Sequence, residues 1–478
     1  MRFKDLLRKL RSPDRPKVAK ESEKGISFLD DLRIGVKSDQ ADGKVNLVLG
    51  IDFGTSCCKV VIGDNRLPRT YAVGIKTNDS GVDNFLHATC LFESPKEVYS
   101  LEATGKCVLR DNLKLQFLEA ERPLNQRTPV EEDIRAVAYL ALLIQRSLDY
   151  FEERYFGQYP ETNIRWFLNV GMPSRDVADK RLIPLYKRVA IAACLASAAG
   201  LINRKICVEA WRAAQSGGHR FFEFLDARVK VYPEIAAEMV SFIRSPFSSD
   251  GLFALADVGA GTLDVSTFQL NSHTAQDRIH FRAMELGSLG AQRLHQERTT
   301  YLEKQQIETP KVSASGSIFI VPESHDEYVV AERDRDNAVF HLKYHDEKFS
   351  NACSELVVKT IMATHVHHAR QGWNSSFFRN GVELFLCGGG SRLDFYQGVV
   401  QKAGQSLGRY LDIKGSPIRL RKLTKPRDLS IDGVSDEHFD RFAVAYGLSV
   451  DLGGRRGIKK KELQFELREA KRSNKWND

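Results

Sequence analysis

LGIDFGTSCCKVVIGD, residues 49–64, runs apolar and small residues into an aspartate, turns through Gly-Thr-Ser, and resumes with a lysine and three β-branched residues. Val45, Leu47, Val48 and Ile51 suit one strand; Val60, Val61 and Ile62 suit a second. The turn between them holds an acid, a glycine, two hydroxyls and a cation. On its own the stretch reads equally as an ordinary β-hairpin and as a hairpin carrying chemistry.

A second stretch breaks that tie. LFALADVGAGTLDVSTFQL, residues 252–270, has the same design: an apolar strand, Asp257, a glycine turn, a hydroxyl at Thr262, then Asp264 opening another apolar strand. Asp257 follows Asp52 by 205 residues, a spacing that suggests two related halves. A third element, VELFLCGGGSRLD (382–394), is an apolar strand running into three glycines, where a ligand can approach the backbone closely. Glycine turns offer backbone N–H groups to phosphate oxygens. Thr55, Ser56 and Thr262 add hydroxyls, and Lys59 adds positive charge. Asp52, Asp257 and Asp264 would repel a phosphate unless a hydrated Mg²⁺ lay between, and Mg²⁺ characteristically keeps several waters. The chemistry therefore reads as a Mg–nucleotide clamp. The chain has no G-x-x-x-x-G-K-[ST] run, so this is not a P-loop.

The bulk properties fit such a protein. With 478 residues, 42% hydrophobic and 28% charged, the chain is long enough for two or more globular domains. It has no membrane-length apolar stretch and no secretory leader pattern. Its eight cysteines have no C-x-x-C spacing and read mostly as reduced, buried thiols of a cytoplasmic protein; Cys57–Cys58 reads as neighbouring buried thiols or as a redox device. The formal charge of +8 lies in the ends: residues 1–24 and 455–478 each carry +5, leaving the body at −2. That argues against a nucleic-acid groove across the body.

Strands with turns are expected from 45 to about 125, then a helix opened by Thr128, Pro129 and three acids and running through Tyr150. A buried strand follows at 164–173, an alanine-rich helix at 178–200 and an irregular stretch at 211–230. Pro233 is expected to start another helix, 291–370 reads as helical and mixed, 382–387 as a strand, and 436–450 as a helix. The alternation means an α/β fold. MRFKDLLRKLR places Phe3, Leu6, Leu7 and Leu10 on one helical stripe, a peripheral membrane or partner contact or a short self-packed helix; 12–44 reads as a linker. Leu463 and Leu467 in the basic tail are open to partner docking or to solvation. His365 and His368 lie one helical turn apart with no clear third ligand, as a solvated helix face also would.

Together the three motifs resemble the two phosphate motifs and the adenosine motif of the actin-like ATPase superfamily, which includes sugar kinases, actins and heat-shock chaperones of the DnaK type. DVGAGTLDVSTF and LCGGGSRL are most similar to the chaperone forms. The resemblance spans roughly 45–450 and implies a two-lobed actin-like ATPase fold of duplicated ribonuclease-H-like domains, with ATP in the central cleft. The implied division is 45–235 for the first lobe, 236–435 for the second, 436–454 for a helix returning to the first, and 455–478 for the tail.

Carried over by position, Asp52 and Asp257 match the acids that hold Mg²⁺ through water, and Asp264 a metal-side acid. Gly54, Thr55, Ser56, Gly259, Gly261 and Thr262 match phosphate contacts, with Thr262 also in the catalytic set. Gly388, Gly389 and Arg392 match the adenosine site, and Gly290 the glycine turn beside it. Lys59 lies where actins place a phosphate-binding lysine. Lys114 resembles the chaperone lysine that orients the attacking water, though its flanks also suit a solvated surface lysine; Pro173 resembles the chaperones' switch proline. Where the chaperones carry Glu-Pro, this chain has Tyr232-Pro233-Glu234, so hydrolysis is expected to be slow unless Glu234 substitutes. Past residue 450 a basic tail is expected in place of a peptide-binding domain.

The implied function is an ATP-binding, ATP-hydrolysing chaperone-like switch that engages a protein partner. The alternative is a filament-forming actin relative of the plasmid-segregation type, which leaves monomer or filament open. A small-molecule kinase would need a catalytic base facing a substrate pocket, and none is legible.

Overall fold

The structure, a computed structural model, describes residues 44–64, 66–67, 69–76, 81–122, 128–159, 163–173, 182–215, 225–244, 248–271, 278–308, 321–322, 324–328, 335–370, 381–432 and 434–450. The expectations for the N-terminal helix, most of the linker and the basic tail lie outside those residues. The described chain is mixed α/β and divides into two compact units, one gathering 44–241 and 425–450, the other 242–424.

In the first unit the strands are β1 (Lys44–Asp52), β2 (Cys57–Asp64), β3 (Arg69–Ala72), β4 (His87–Ala88), β5 (Leu91–Glu93), β6 (Tyr99–Ser100), β7 (Val108–Arg110), β8 (Asn163–Met172) and β9 (Val229–Pro233). The main sheet runs β3-β2-β1-β8-β9, and β5 to β7 form a small separate sheet. β1 and β2 are antiparallel, closed by the turn that opened the sequence reading; β1 and β8, then β8 and β9, are parallel. Parallel neighbours cannot be joined by a hairpin, so each pairing needs a crossover. Helices Leu113–Glu119 and Glu131–Arg154 supply the first; Leu182–Ser197 and Arg204–Gln215 supply the second. Ile134, Val137, Ala141, Ile144, Leu148 and Phe151 recur at helical spacing and are buried against the sheet, where Trp166, Leu168 and Val170 meet them in one core.

The second unit repeats that order. Its strands β10 (Gly251–Val258), β11 (Leu263–Asn271), β12 (Arg278–Gly287), β13 (Val382–Cys387) and β14 (Ile418–Arg421) run β12-β11-β10-β13-β14. β10 to β12 are antiparallel neighbours, whereas β10–β13 and β13–β14 are parallel. The crossovers are helices Ala291–Lys304 and Arg335–Arg370, then Asp394–Leu411. The core is Val258, Val265, Leu384, Tyr396 and their neighbours. The chain then returns to the first unit, where β15 (Leu429–Ser430) lies parallel to β3 and helix Ala443–Ser449 packs on β1, β2 and β8. Asn169 Nδ2 donates to the Leu448 carbonyl at 2.7 Å, fixing that helix.

Several local expectations shift. The helix expected to open at Thr128 starts at Glu131 with Val130 as its cap; the Asp133 carboxylate accepts the Val130 N–H at 3.2 Å and pairs with Arg122 at 2.9 Å, so an acid inside the first turn does the capping. Pro233 ends β9 rather than starting a helix, because an outer strand tolerates a residue with no N–H, and Glu234 becomes the first helical residue. The alanine-rich helix is Leu182–Ser197, and part of the stretch expected to be irregular belongs to helix Arg204–Gln215 and β9. The closing segment is a 3₁₀ turn, Asp436–Arg441, followed by helix Ala443–Ser449. All eight cysteines are free thiols, six of them buried, so Cys57 and Cys58 form no disulfide.

Candidate functional site

Each unit carries one glycine turn at the same place in its sheet. In the first, Asp52 ends β1 directly opposite Lys59 of β2, and Lys59 Nζ lies 3.0 Å from Asp52 Oδ2. Asp52 is buried, 7% exposed. Burial works against the Lys59 charge, but Asp52 beside it outweighs that and holds the ammonium above its ordinary pKa. The Gly54 N–H donates to the Asp52 carbonyl at 3.0 Å. Thr55 and Ser56 form the bend and are half-buried.

A residue the sequence reading passed over braces this turn. Thr89 Oγ1 donates to the Gly54 carbonyl at 2.8 Å, and the Thr89 N–H donates to the Ser56 carbonyl at 3.0 Å. Behind it, Cys58 Sγ sits 3.4 Å from Thr89 Oγ1, with its thiol pushed up to about 12 by burial, while Tyr139 Oη donates to the Ala88 carbonyl at 2.9 Å. All described peptide bonds are trans. A trans peptide points its N–H opposite to its C=O. Anchoring the Gly54 carbonyl on Thr89 therefore aims the Thr55 N–H the other way. Nothing in HATC (87–90) announces that role.

In the second unit, Asp257 lies opposite Asp264 across the hairpin, and the Gly259 N–H donates to the Thr262 carbonyl at 2.9 Å to close the turn. Here a helix end is the brace. Gly290, Ala291 and Gln292 donate their N–H groups to the carbonyls of Gly261 (3.2 Å), Gly259 (3.0 Å) and Ala260 (2.8 Å). Three consecutive carbonyls turned to the helix send the N–H groups of Ala260, Gly261 and Thr262 away from it as a row of donors. A Cβ on Gly290 would stand 2.4 Å from the Thr262 nitrogen, so only glycine lets the helix come this close.

Gly388, in the triple glycine after β13, has φ +80°, and a Cβ there would sit 2.1 Å from Asp257 Oδ1. The backbone thus passes right over that carboxylate. Gly389 opens the 3₁₀ turn that Arg392 ends, with Arg392 half-buried. Two carboxylates facing each other across a hairpin repel. With glycine backbone around them and a row of N–H donors alongside, this donor set suits a hydrated divalent cation bound with a phosphate. Among the described residues no group of three or more His, Cys, Asp or Glu is placed to hold a metal. His365 belongs to helix Arg335–Arg370; the side chain of His368 lies outside the described residues.

Lys114 and Glu234 meet in the first unit. Lys114 is 5% exposed, which removes the surface-lysine alternative, and its Nζ donates to Glu234 Oε1 at 2.8 Å. Burial opposes the charge; Glu234, then Asp52, overcome it and raise the Lys114 pKa. Lys114 heads helix Leu113–Glu119 after Asn112, a residue type that tolerates the left-handed backbone it adopts at φ 51°. The Glu234 chain passes over β8 at Gly171, where a Cβ would lie 2.9 Å from Glu234 Cγ. Gly171 is thus a second positioning residue beyond the sequence reading. Pro173 follows the end of β8.

No helix among the described residues is long and apolar enough to cross a membrane. No protein-family model matches the chain, and no curated protein matches it. Among solved structures it is similar to one described as the pCBH ParM non-polymerisable quadruple mutant, at 13% identity and a TM-score of 0.41, covering 85% of this chain and 98% of that one.

Proposed function

We propose that this protein binds Mg–ATP through its two glycine turns, hydrolyses it slowly, and uses the difference between nucleotide states to engage a protein partner. One observation carries the reading: both units repeat the same strand order, and in both an acid at or next to the end of the first hairpin strand, Asp52 or Asp257, stands beside a turn whose carbonyls are tied back. A triphosphate is the ligand that uses donors, hydroxyls, a lysine and acids together, and this is the pattern of the actin-like ATPase superfamily.

In this reading Thr55, Ser56 and Lys59 of one unit, and Gly261 and Thr262 of the other, bind phosphate oxygens, while Gly54 and Gly259, whose N–H groups are spent inside the turns, shape them. Gly290, Gly388, Gly389 and Arg392 form the nucleoside side. Asp52, Asp257 and Asp264 would hold Mg²⁺, which supplies charge neutralisation when bound. Phosphoryl transfer asks the protein mainly for positioning and electrostatics. Lys114 orients the attacking water, and its ion pair with Glu234 fixes where that ammonium stands. Sharing Lys114 with Glu234 restrains turnover, in keeping with a switch rather than a fast enzyme.

Titration calorimetry of the full chain with Mg–ATP tests this. Saturable uptake that disappears when magnesium is chelated is expected; no uptake at millimolar nucleotide overturns the reading. Light scattering in the same samples should stay flat. Growth on adding Mg–ATP would replace the partner switch with a filament-forming ATPase.

A further inference from the structure

Among the described residues β14 is an end strand of the second unit's sheet, paired with β13 alone. Its residues Arg419, Leu420 and Arg421 are all exposed, as is Lys422 just beyond. The arginine side chains are 58% exposed. From Ile413 to Thr424 the chain carries four cations and no acid. One carboxylate serves this stretch from the neighbouring strand: Glu383 lies 2.8 Å from Arg421 and 4.0 Å from Arg419, one negative charge facing two guanidinium groups on one side of the strand. Leu420 and Lys422 alternate onto the opposite side.

The strand is also held firmly. The Val382 N–H donates to the Pro417 carbonyl at 2.6 Å, the Ile413 N–H to the Gly408 carbonyl at 2.9 Å, and the Gly415 carbonyl lies 2.3 Å from where a Cβ on Gly408 would be. The other end strand, β12, is packed by the long helix Arg335–Arg370.

We propose that β14 is a docking edge for an extended acidic segment of a partner protein, which adds a further strand through main-chain hydrogen bonds and sets carboxylates against Arg419 and Arg421. Excess positive charge along an edge guards against pairing with a second copy of itself. The same charge attracts a strand of opposite sign, and peptide addition to a sheet edge takes affinity from the main chain and selectivity from alternate side chains. Leu420, 39% exposed between the arginines, gives such a strand an apolar contact that a nucleic-acid backbone would not use. The proposal stands whether or not the protein binds nucleotide.

The test is fluorescence anisotropy of the full chain with a labelled peptide of alternating Glu and Val. Saturable binding is expected, weakened about tenfold or more when Arg419→Gln and Arg421→Gln are combined. Binding should also be lost with the same peptide N-methylated on alternate residues, which keeps its charge and removes its edge hydrogen bonds. Both arginines are exposed, so unchanged circular dichroism is expected of the double variant. No saturable binding, equal binding of the methylated peptide, equal binding of an alternating Lys–Val peptide, or tighter binding of a single-stranded oligonucleotide would each overturn the proposal.

Discussion

The two glycine turns are built alike and charged differently. Across the first, an acid faces a lysine, and Asp52 and Lys59 neutralise each other within the protein. Across the second, an acid faces an acid, Asp257 opposite Asp264. Their braces also differ: a threonine side chain and its amide in one, a helix N-terminus in the other. A single backbone design thus carries an acid–lysine pair in one half and an acid–acid pair in the other. Under the proposed function, the acid pair of the second turn is where a cation would matter most.

The largest expected effect tests the second turn. Asp257→Ala should lower Mg-dependent ATP turnover by about a thousandfold or more, the scale of losing a main electrostatic stabiliser of the reaction. Steady-state phosphate release checks it, and unchanged turnover would refute the metal role. The first turn should instead fail in stability. Asp52→Ala leaves Lys59 partly buried without its counter-charge, and denaturant unfolding should show a loss of about 2–4 kcal/mol with the ligand-free protein. If the two variants behaved alike, the contrast between the turns would collapse.

Acid offers a third test, confined to the first turn. His87 lies on β4, paired with Cys58 behind the bend; it is 2% exposed, and its Nε2 stands 2.9 Å from the Val73 carbonyl. Burial depresses its pKa from the ordinary 6.5 to about 4. Below pH 6.5 the unfolded chain takes up a proton that the folded chain refuses until about pH 4. Stability should therefore fall as pH drops through that window, by about 3 kcal/mol at its lower end. The measurement is urea unfolding at stepped pH, and His87→Gln should flatten the slope between pH 6.5 and 4. A slope unchanged in that variant would detach the histidine from the effect.

A split in kinetics is expected from the buried pair. Lys114→Met should cut turnover at least tenfold while changing nucleotide affinity less than threefold, as for a group that positions the reacting water rather than holding the ligand. Calorimetry beside phosphate release separates the two, and a matching fall in affinity would make Lys114 a ligand contact. The smallest effect has the opposite sign from Asp52→Ala. Asp264→Asn relieves like charges across the hairpin and should stabilise the ligand-free protein by about 0.5 kcal/mol. A destabilised Asp264→Asn variant would show that the facing acids are compensated within the protein.

Much of the site could be read along the chain because its parts are local. Asp52 with Gly54 to Lys59, Asp257 with Gly259 to Asp264, and the glycines at 388–390 each fall within a dozen residues, where strand periodicity and glycine punctuation are directly visible. Thr89, Gly171 and the partnership of Lys114 with Glu234 were not legible. Lys114 and Glu234 stand 120 residues apart, and Thr89 reaches Gly54 across 35, with no spacing rule to join them. Helix entries moved for a related reason: Thr128 and Pro233 carry local starting signals, but β-pairing and the Asp133 carboxylate decided where the helices begin.

The amino-acid order by itself determined the α/β alternation, the two acid–glycine–hydroxyl hairpins and the chemistry they suit, because a strand, a tight turn and a strand are specified by neighbouring residues. Only the tertiary structure decided that the two sheets share one strand order, that Lys114 is buried against Glu234, and that each turn's carbonyls are tied back so that its amides face outward. Those features are contacts between distant segments, fixed by the crossovers that parallel strands require and by the burial of polar groups that must then find partners.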